Sequence, residues 1–209
     1  MSAQNDLVIA LTLLSKTDKT LRRAIKTYGM PKTRRLKPGF ATLARIIVDQ
    51  QISTKAAAAI WLRLHNSLGD VTAQNIWDAR DLTLKEAGLS GSKIKTLRAL
   101  SADILNNRLN FRSLSRKPDH QVLDRLTTIW GIGPWTAEIY LMFGMGRPDI
   151  WPAGDLALRT GWQMISDSPD RISAEDLANL AEHWRPHRAA AAVLLWHAVG
   201  ASRDKKANT

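Results

Sequence analysis

Apolar residues recur at helical spacing along most of this chain, and alternation of β-branched with polar residues is nearly absent. Val122, Leu126 and Ile129 share one helical face, widened by Leu123, and Thr136, Ile139, Tyr140 and Phe143 repeat the pattern after a short break. The spacing predicts helices over Leu7 to Ser15, Lys19 to Tyr28, Gly39 to Gln51, Thr54 to Leu68, Ala73 to Ala79 and Thr83 to Ala87. It predicts others over Ser92 to Asn106, Asp119 to Thr128, Trp135 to Met145, Asp155 to Met164, Ala174 to Trp184, and Pro186 to Val199. Gly88 closes one of these, and Ser173-x-x-Asp176 opens another with a capping pattern. No internal repeat interrupts the series, so the expected fold class is all-α.

The break at Ile129-Trp-Gly-Ile-Gly-Pro-Trp-Thr-Ala137 reads as a tight turn between two helices. Gly131 and Gly133 can take positive φ and let another backbone come close, while Pro134 suits a first helical turn, where its missing N–H is not needed. Free amides at such a turn, together with the dipole of the following helix, favour an anion. Read as structure alone, the same residues form an αα-hairpin with no ligand. Shortly afterwards an isolated acid, Asp155, follows Pro152-Ala-Gly154 and precedes Leu156-Ala-Leu158-Arg159, a local pattern for a helix N-cap.

Composition narrows the partner. The 209 residues carry a net charge of +11, which points to a polyanion through salt-dependent, sequence-blind phosphate affinity. Much of the excess lies in Lys16, Lys19, Arg22, Arg23, Lys26, Lys32, Arg34, Arg35 and Lys37, and in Arg203, Lys205 and Lys206. Many of these individually are solvated helix faces. The chain has no cysteine, which excludes disulfides and thiolate zinc or iron–sulfur sites. No segment is apolar for long enough to span a membrane, and Asp6 to Leu14 lacks the marks of a signal peptide, so a cytoplasmic location is expected. His183 and His187 lie four apart like a metal pair, but Pro186 between them spoils a shared helical face.

The pattern Leu126-x-x-Ile129-x-Gly131-Ile-Gly133-x-Trp135-Thr136-Ala137 resembles the helix-hairpin-helix of a DNA glycosylase superfamily, and Asp155 stands where that superfamily carries its catalytic acid. Gln50-Gln51-Ile52-Ser53 and Trp184-Arg185-Pro186-His187-Arg188, running on to Trp196, resemble two further signatures. The last is similar to the 3-methyladenine DNA glycosylase II branch. The matches span about Phe40 to Gly200. The resemblance implies a two-lobed helical bundle with a DNA-binding cleft between the lobes. One lobe is expected to combine residues 1–38 with 155–209, and the other to hold 39–154 with the hairpin.

The implied chemistry is hydrolysis of an N-glycosidic bond in double-stranded DNA containing damaged bases. As the base departs, positive charge grows on the deoxyribose, and an anion beside it stabilises the transition state more than the ground state. Asp155 is the expected anion, which also orients or deprotonates the attacking water. Ring alkylation already makes a purine a good leaving group, so no strong general acid is required. Relatives that also cut the backbone use a lysine to form a Schiff base; the matching residue here is Trp135, which implies a monofunctional enzyme.

The nucleotide must be flipped into a pocket, for which the resemblance offers Trp135, Trp196 and residue 139, here Ile139, with Tyr140 and Trp151 as further candidates. Gln51 matches the residue that fills the vacated stack, and Ser53, Lys93, Gly131, Gly133 and Thr136 are the other expected DNA contacts. For Lys93, within Leu89-Ser-Gly-Ser-Lys93, a plain Gly88 cap followed by a serine N-cap is the alternative. A monovalent cation on the carbonyls of Thr127, Ile129 and Ile132 is implied by the resemblance only, and no other cofactor is expected. His187, Ala189 and Ile139 depart from residues common in the branch, and the β-rich N-terminal domain of some relatives is expected to be missing. The leading expectation is a monomeric glycosylase for alkylated purines such as 3-methyladenine and 7-methylguanine. Its rivals are a non-enzymatic helix-hairpin-helix module that binds DNA structure or damage, and a glycosylase for another lesion.

Overall fold

A computed structural model of the chain describes residues 2–33 and 36–207, with side chains through residue 203. Arg34, Arg35 and the side chains of Lys205 and Lys206 therefore lie outside the described residues. Among the described residues the fold is all-α. In chain order the helices are α1 (Ala3–Thr17), α2 (Lys19–Tyr28), α3 (Phe40–Asp49), α4 (Thr54–Leu68), α5 (Ala73–Asp78), α6 (Asp81–Glu86) and α7 (Gly91–Leu105). They continue with α8 (Phe111–Leu114), α9 (Asp119–Thr127), α10 (Pro134–Ile139), α11 (Leu156–Ser166), α12 (Ala174–Ala181) and α13 (Arg188–Ala207). The single helix expected from Trp135 to Met145 is instead α10 followed by a π turn, Tyr140–Gly144, because Gly144 lies against the Tyr140 ring, where a Cβ would meet Cε2 at 2.8 Å. The four-residue α8 is too short to show a period and was not predicted.

Two compact units result, residues 1–35 with 146–209 and residues 36–145. The second join falls before Gly146, earlier than the expected 154/155, because the segment after it is fastened to α13. Pro148 O accepts the Ala189 N–H at 3.0 Å, and the Asp149 carboxylate accepts from Nε of Arg188 at 2.8 Å.

In the unit of residues 1–35 and 146–209, α11 packs along α13, and α1 and α2 pack on both each other and α13. Leu11, Leu21, Leu158, Leu194 and Leu195 are fully buried there, each contributing about 1.5–3 kcal/mol. The α11–α13 approach is close: a Cβ on Gly161 would lie 2.7 Å from the Leu195 carbonyl oxygen. Asp18 serves two elements at once. Its Oδ1 accepts from the Thr20 and Leu21 amides, capping α2, while Oδ2 accepts from the buried Trp184 indole at 2.9 Å. Trp184 also packs against Trp151 and Trp162, with ring centroids 5.3 and 5.6 Å away.

In the unit of residues 36–145, α7 is the central strut, contacting α3, α5 and α6. Ile76, Leu84, Leu97 and Leu100 are fully buried along it. At one end α10 packs on α9 and α3, and the π turn after it also meets α3, with Leu126, Ala137 and Leu141 fully buried. Asp103 near the end of α7 pairs with Arg108 and Arg125 at 2.8 and 2.6 Å, bracing α9 against that helix.

Candidate functional site

The hairpin after α9 is closed by its own backbone: the Ile129 N–H donates to Leu126 O and the Ile132 N–H to Ile129 O at 3.0 Å. Gly131 is required twice over. Its φ is +81°, and a Cβ would lie 2.0 Å from Oγ1 of Thr96 on α7. Gly133 is different from expectation: it has φ −91°, an extended conformation open to any residue, and caps α10 with no side chain. Nothing lies within 4 Å of where its Cβ would be, so this exposed glycine keeps the outer side of the turn bare. Pro134 occupies the first turn of α10, as expected.

The expected DNA contacts sort into exposed and consumed groups. Gln51 is exposed and sits just past the end of α3 with φ +55°, a left-handed conformation uncommon for a residue with a side chain. Ser53 is exposed and caps α4, accepting the Ala56 N–H at 3.2 Å. Thr136, by contrast, is buried (3 % exposed), and its hydroxyl accepts a hydrogen bond from the Gln50 side chain at 2.8 Å. It ties α10 to the turn after α3 and presents nothing at the surface. Lys93 is likewise engaged within the protein, its ammonium donating to Val48 O at 2.7 Å and Gln50 O at 2.8 Å. Burial lowers its pKa, opposed by the charge of Asp49. The alternative reading of the preceding loop holds: Gly88 has φ +99° and Ser90 caps α7.

Of the expected pocket residues in this unit, Trp135 is half-buried and Ile139 is buried. Tyr140 is 1 % exposed, its hydroxyl accepting the Gly39 N–H at 3.0 Å, and burial pushes its pKa up to about 12. It is a core residue there, one helical turn beyond the buried Thr136, with its ring lying against Gly144. The carbonyls of Thr127, Ile129 and Ile132 belong to the end of α9 and the hairpin. Ile129 O spends one lone pair on the Ile132 amide, and the second is of the uncharged, hard type a monovalent cation takes. Among the described residues no group of three or more His, Cys, Asp and Glu is arranged to hold a metal ion.

In the other unit, Asp155 is the N-cap of α11, half-buried, with Oδ1 accepting from the Ala157 N–H at 2.7 Å and the Leu158 N–H at 3.2 Å. Two amides and a helix start fix the carboxylate in one orientation. The segment leading to it is held as well. Asp149 accepts from both Arg185 and Arg188, which also reach Glu182, so the start of α13 grips the loop from Pro148 onward. These arginines stood in the Trp184–Arg188 signature, but Asp149 had no local pattern to mark it. Trp151 is buried on Trp184, whereas Trp196 on α13 is half-buried.

Residues 44–186 match the model of the HhH-GPD superfamily of base excision DNA repair proteins, a span that holds both the hairpin and Asp155. The chain belongs to that superfamily. It is 30% identical over 190 residues to DNA-3-methyladenine glycosylase 1 of Schizosaccharomyces pombe, covering 88% of this chain and 83% of that protein. It is also 31% identical over 196 residues to an endonuclease III of Sulfolobus acidocaldarius, covering 86% and 83%. Among solved structures, a 3-methyladenine DNA glycosylase of the same yeast in complex with abasic DNA superposes with a TM-score of 0.83 at 29% identity, over 90% of this chain and 94% of that one. A DNA-3-methyladenine glycosidase from Bacillus halodurans gives 0.78 at 29% identity, over 98% and 94%. Among the described residues of this HhH-GPD chain, no helix is long and apolar enough to cross a membrane.

Proposed function

We propose that this protein is a monofunctional DNA glycosylase that flips alkylated purines, 3-methyladenine and 7-methylguanine among them, out of double-stranded DNA. It hydrolyses the N-glycosidic bond and leaves an abasic site. The observation that carries this reading is Asp155, a carboxylate held by two main-chain amides at the start of α11, in a chain whose relatives include DNA-3-methyladenine glycosylases. With its orientation fixed before substrate arrives, the carboxylate stabilises the developing sugar cation without reorganising, and it directs a water at the same carbon. An alkylated purine leaves without strong protonation. Trp135 and Trp196, the half-buried aromatic candidates, supply faces that attract a cationic base. Gln51 fills the vacated stack, and the exposed amides around Gly133 take a phosphate. A monovalent cation, where bound, would rest on the carbonyls of Thr127, Ile129 and Ile132 and supply positive charge beside that phosphate. The protein acts as a monomer.

The endonuclease III relative favours a second reading, glycosylase with strand cleavage, which needs an amine nucleophile; Trp135 at the matching position argues against it. The test is base release and strand nicking from methylated duplex DNA by wild type and Asp155→Asn. Asparagine caps helices as well as aspartate does, so the variant keeps its fold. We expect methylated bases from the wild type, at least about 100-fold less from Asp155→Asn, and no nicking by either. Nicking by the wild type would establish the second reading. Binding without any base release would make the protein a recognition module.

A further inference from the structure

Beside the hairpin an indole stands in water. Trp130, immediately before Gly131, is 46% exposed. One residue before Thr96, the side chain against which Gly131 is packed, Lys95 extends from α7 and holds its ammonium 4.1 Å from the centre of the Trp130 ring. Lys95 is exposed and, among the described residues, makes no hydrogen bond or ion pair. Its neighbour Lys93 is spent on the carbonyls of Val48 and Gln50. Lys95 is thus an uncommitted cation held on the flank of the hairpin.

We infer that Lys95, steered by the Trp130 ring, is a phosphate-binding residue that grips the DNA backbone next to the hairpin, with Trp130 as its positioning residue. This rests on the reading of the protein as a DNA-binding glycosylase. An exposed lysine is rotamer-rich, and ordering it at a phosphate costs entropy. A ring face that attracts the ammonium restricts the stem beforehand, so less freedom is lost when the phosphate arrives. The ring cannot neutralise the charge, so the ammonium stays attractive to an anion, as one paired with a carboxylate would not. Gly133, bare on its outer side, leaves room for a strand to come up to the turn.

The test is the affinity of the full-length protein for a duplex carrying a stable abasic-site analogue, measured by fluorescence anisotropy across a salt series. One phosphate contact changes the slope of log K against log salt by about 0.9. Lys95→Ala should flatten the slope by about that amount, and Lys95→Arg should restore it. Trp130→Ala should weaken binding several-fold when Lys95 is present and have no further effect in the Lys95→Ala background. An unchanged slope in Lys95→Ala overturns the inference, as does a Trp130→Ala effect of equal size in both backgrounds. A wild type that does not bind the duplex at all overturns the reading beneath it.

Discussion

The ammonium of Lys93 donates to the main-chain oxygen of Gln50 at 2.8 Å, joining the first turn of α7 to the last turn of α3. A second bond goes to Val48 O. Together they satisfy carbonyls that the end of a helix leaves without intrahelical partners. The next residue, Gln51, then turns into the left-handed region and faces solvent. A lysine of the sort that commonly meets phosphate is here a brace for the residue proposed to enter the base stack.

Lys93→Met should therefore weaken both the fold and DNA processing. Two part-buried carbonyls lose their donor, at a cost of about 1–3 kcal/mol, visible as a lower urea midpoint. Gln51→Gly should separate the two effects. Glycine adopts positive φ freely, so stability holds or rises by up to about 1 kcal/mol, while base release from duplex falls and release from single strands changes little. Equal loss on both substrates would remove Gln51 from the flipping step.

The two hairpin glycines should respond oppositely to alanine. Gly131→Ala brings a methyl onto the Thr96 hydroxyl and strains a left-handed residue, costing about 2–4 kcal/mol. Thr96→Ala should recover part of that loss. Gly133→Ala should cost no more than about 1 kcal/mol, the loss of a glycine N-cap, yet lower DNA affinity, because its methyl stands on the bare side of the turn. Unchanged affinity in Gly133→Ala would show that no strand approaches there.

Asp149→Asn should lower base release more than it lowers stability. Arg188 holds this carboxylate with Nε at 2.8 Å, its own side chain only 14% exposed, so weakening the pair costs about 1–3 kcal/mol. The loop it anchors leads to Asp155, and a displacement of about 1 Å at a reacting group can cost about 100-fold in rate. Single-turnover base release alongside urea unfolding checks the split; a loss of rate matched by the loss of folded protein would count against it.

Asp103 should contribute to acid sensitivity. Burial alone would raise its pKa, but hydrogen bonds and charge from Arg125 and Arg108 outweigh burial and hold it below the ordinary carboxylate value. A depressed pKa stabilises the fold above the unfolded value, about 3.9, and that contribution disappears as pH falls through the folded one. Asp103→Asn should be less stable at neutral pH and show a shallower decline below about pH 4. Urea unfolding from about pH 3 to about pH 7 reads both, and parallel curves for the two proteins would exclude the linkage.

Much of the fold was legible in the sequence. The helical period placed the elements, and Asp155, Ser90 and Ser173 cap the helices that follow them as their local patterns indicate, because a cap depends on residues two or three apart. The hairpin and Pro134 were legible for the same reason. The π turn after α10 was not, since Gly144 looks like an ordinary helical glycine until the Tyr140 ring is seen beside it. Gln50 bonded to Thr136, and Asp149 bonded to Arg188, were equally hidden, each pair joining residues far apart along the chain.

The order of residues by itself determined an all-helical chain, a glycine turn between two helices, an acid at a helix start and a cationic surface, all consequences of local spacing and composition. Only the tertiary structure decided which polar groups remain available. It consumed Lys93 on Val48, 45 residues away, buried Thr136, Tyr140 and Trp151, and left Gln51, Gly133, Lys95 and Trp130 in solvent. A side chain's availability depends on which distant atoms fold against it, and that is set by packing, to which the local pattern is blind.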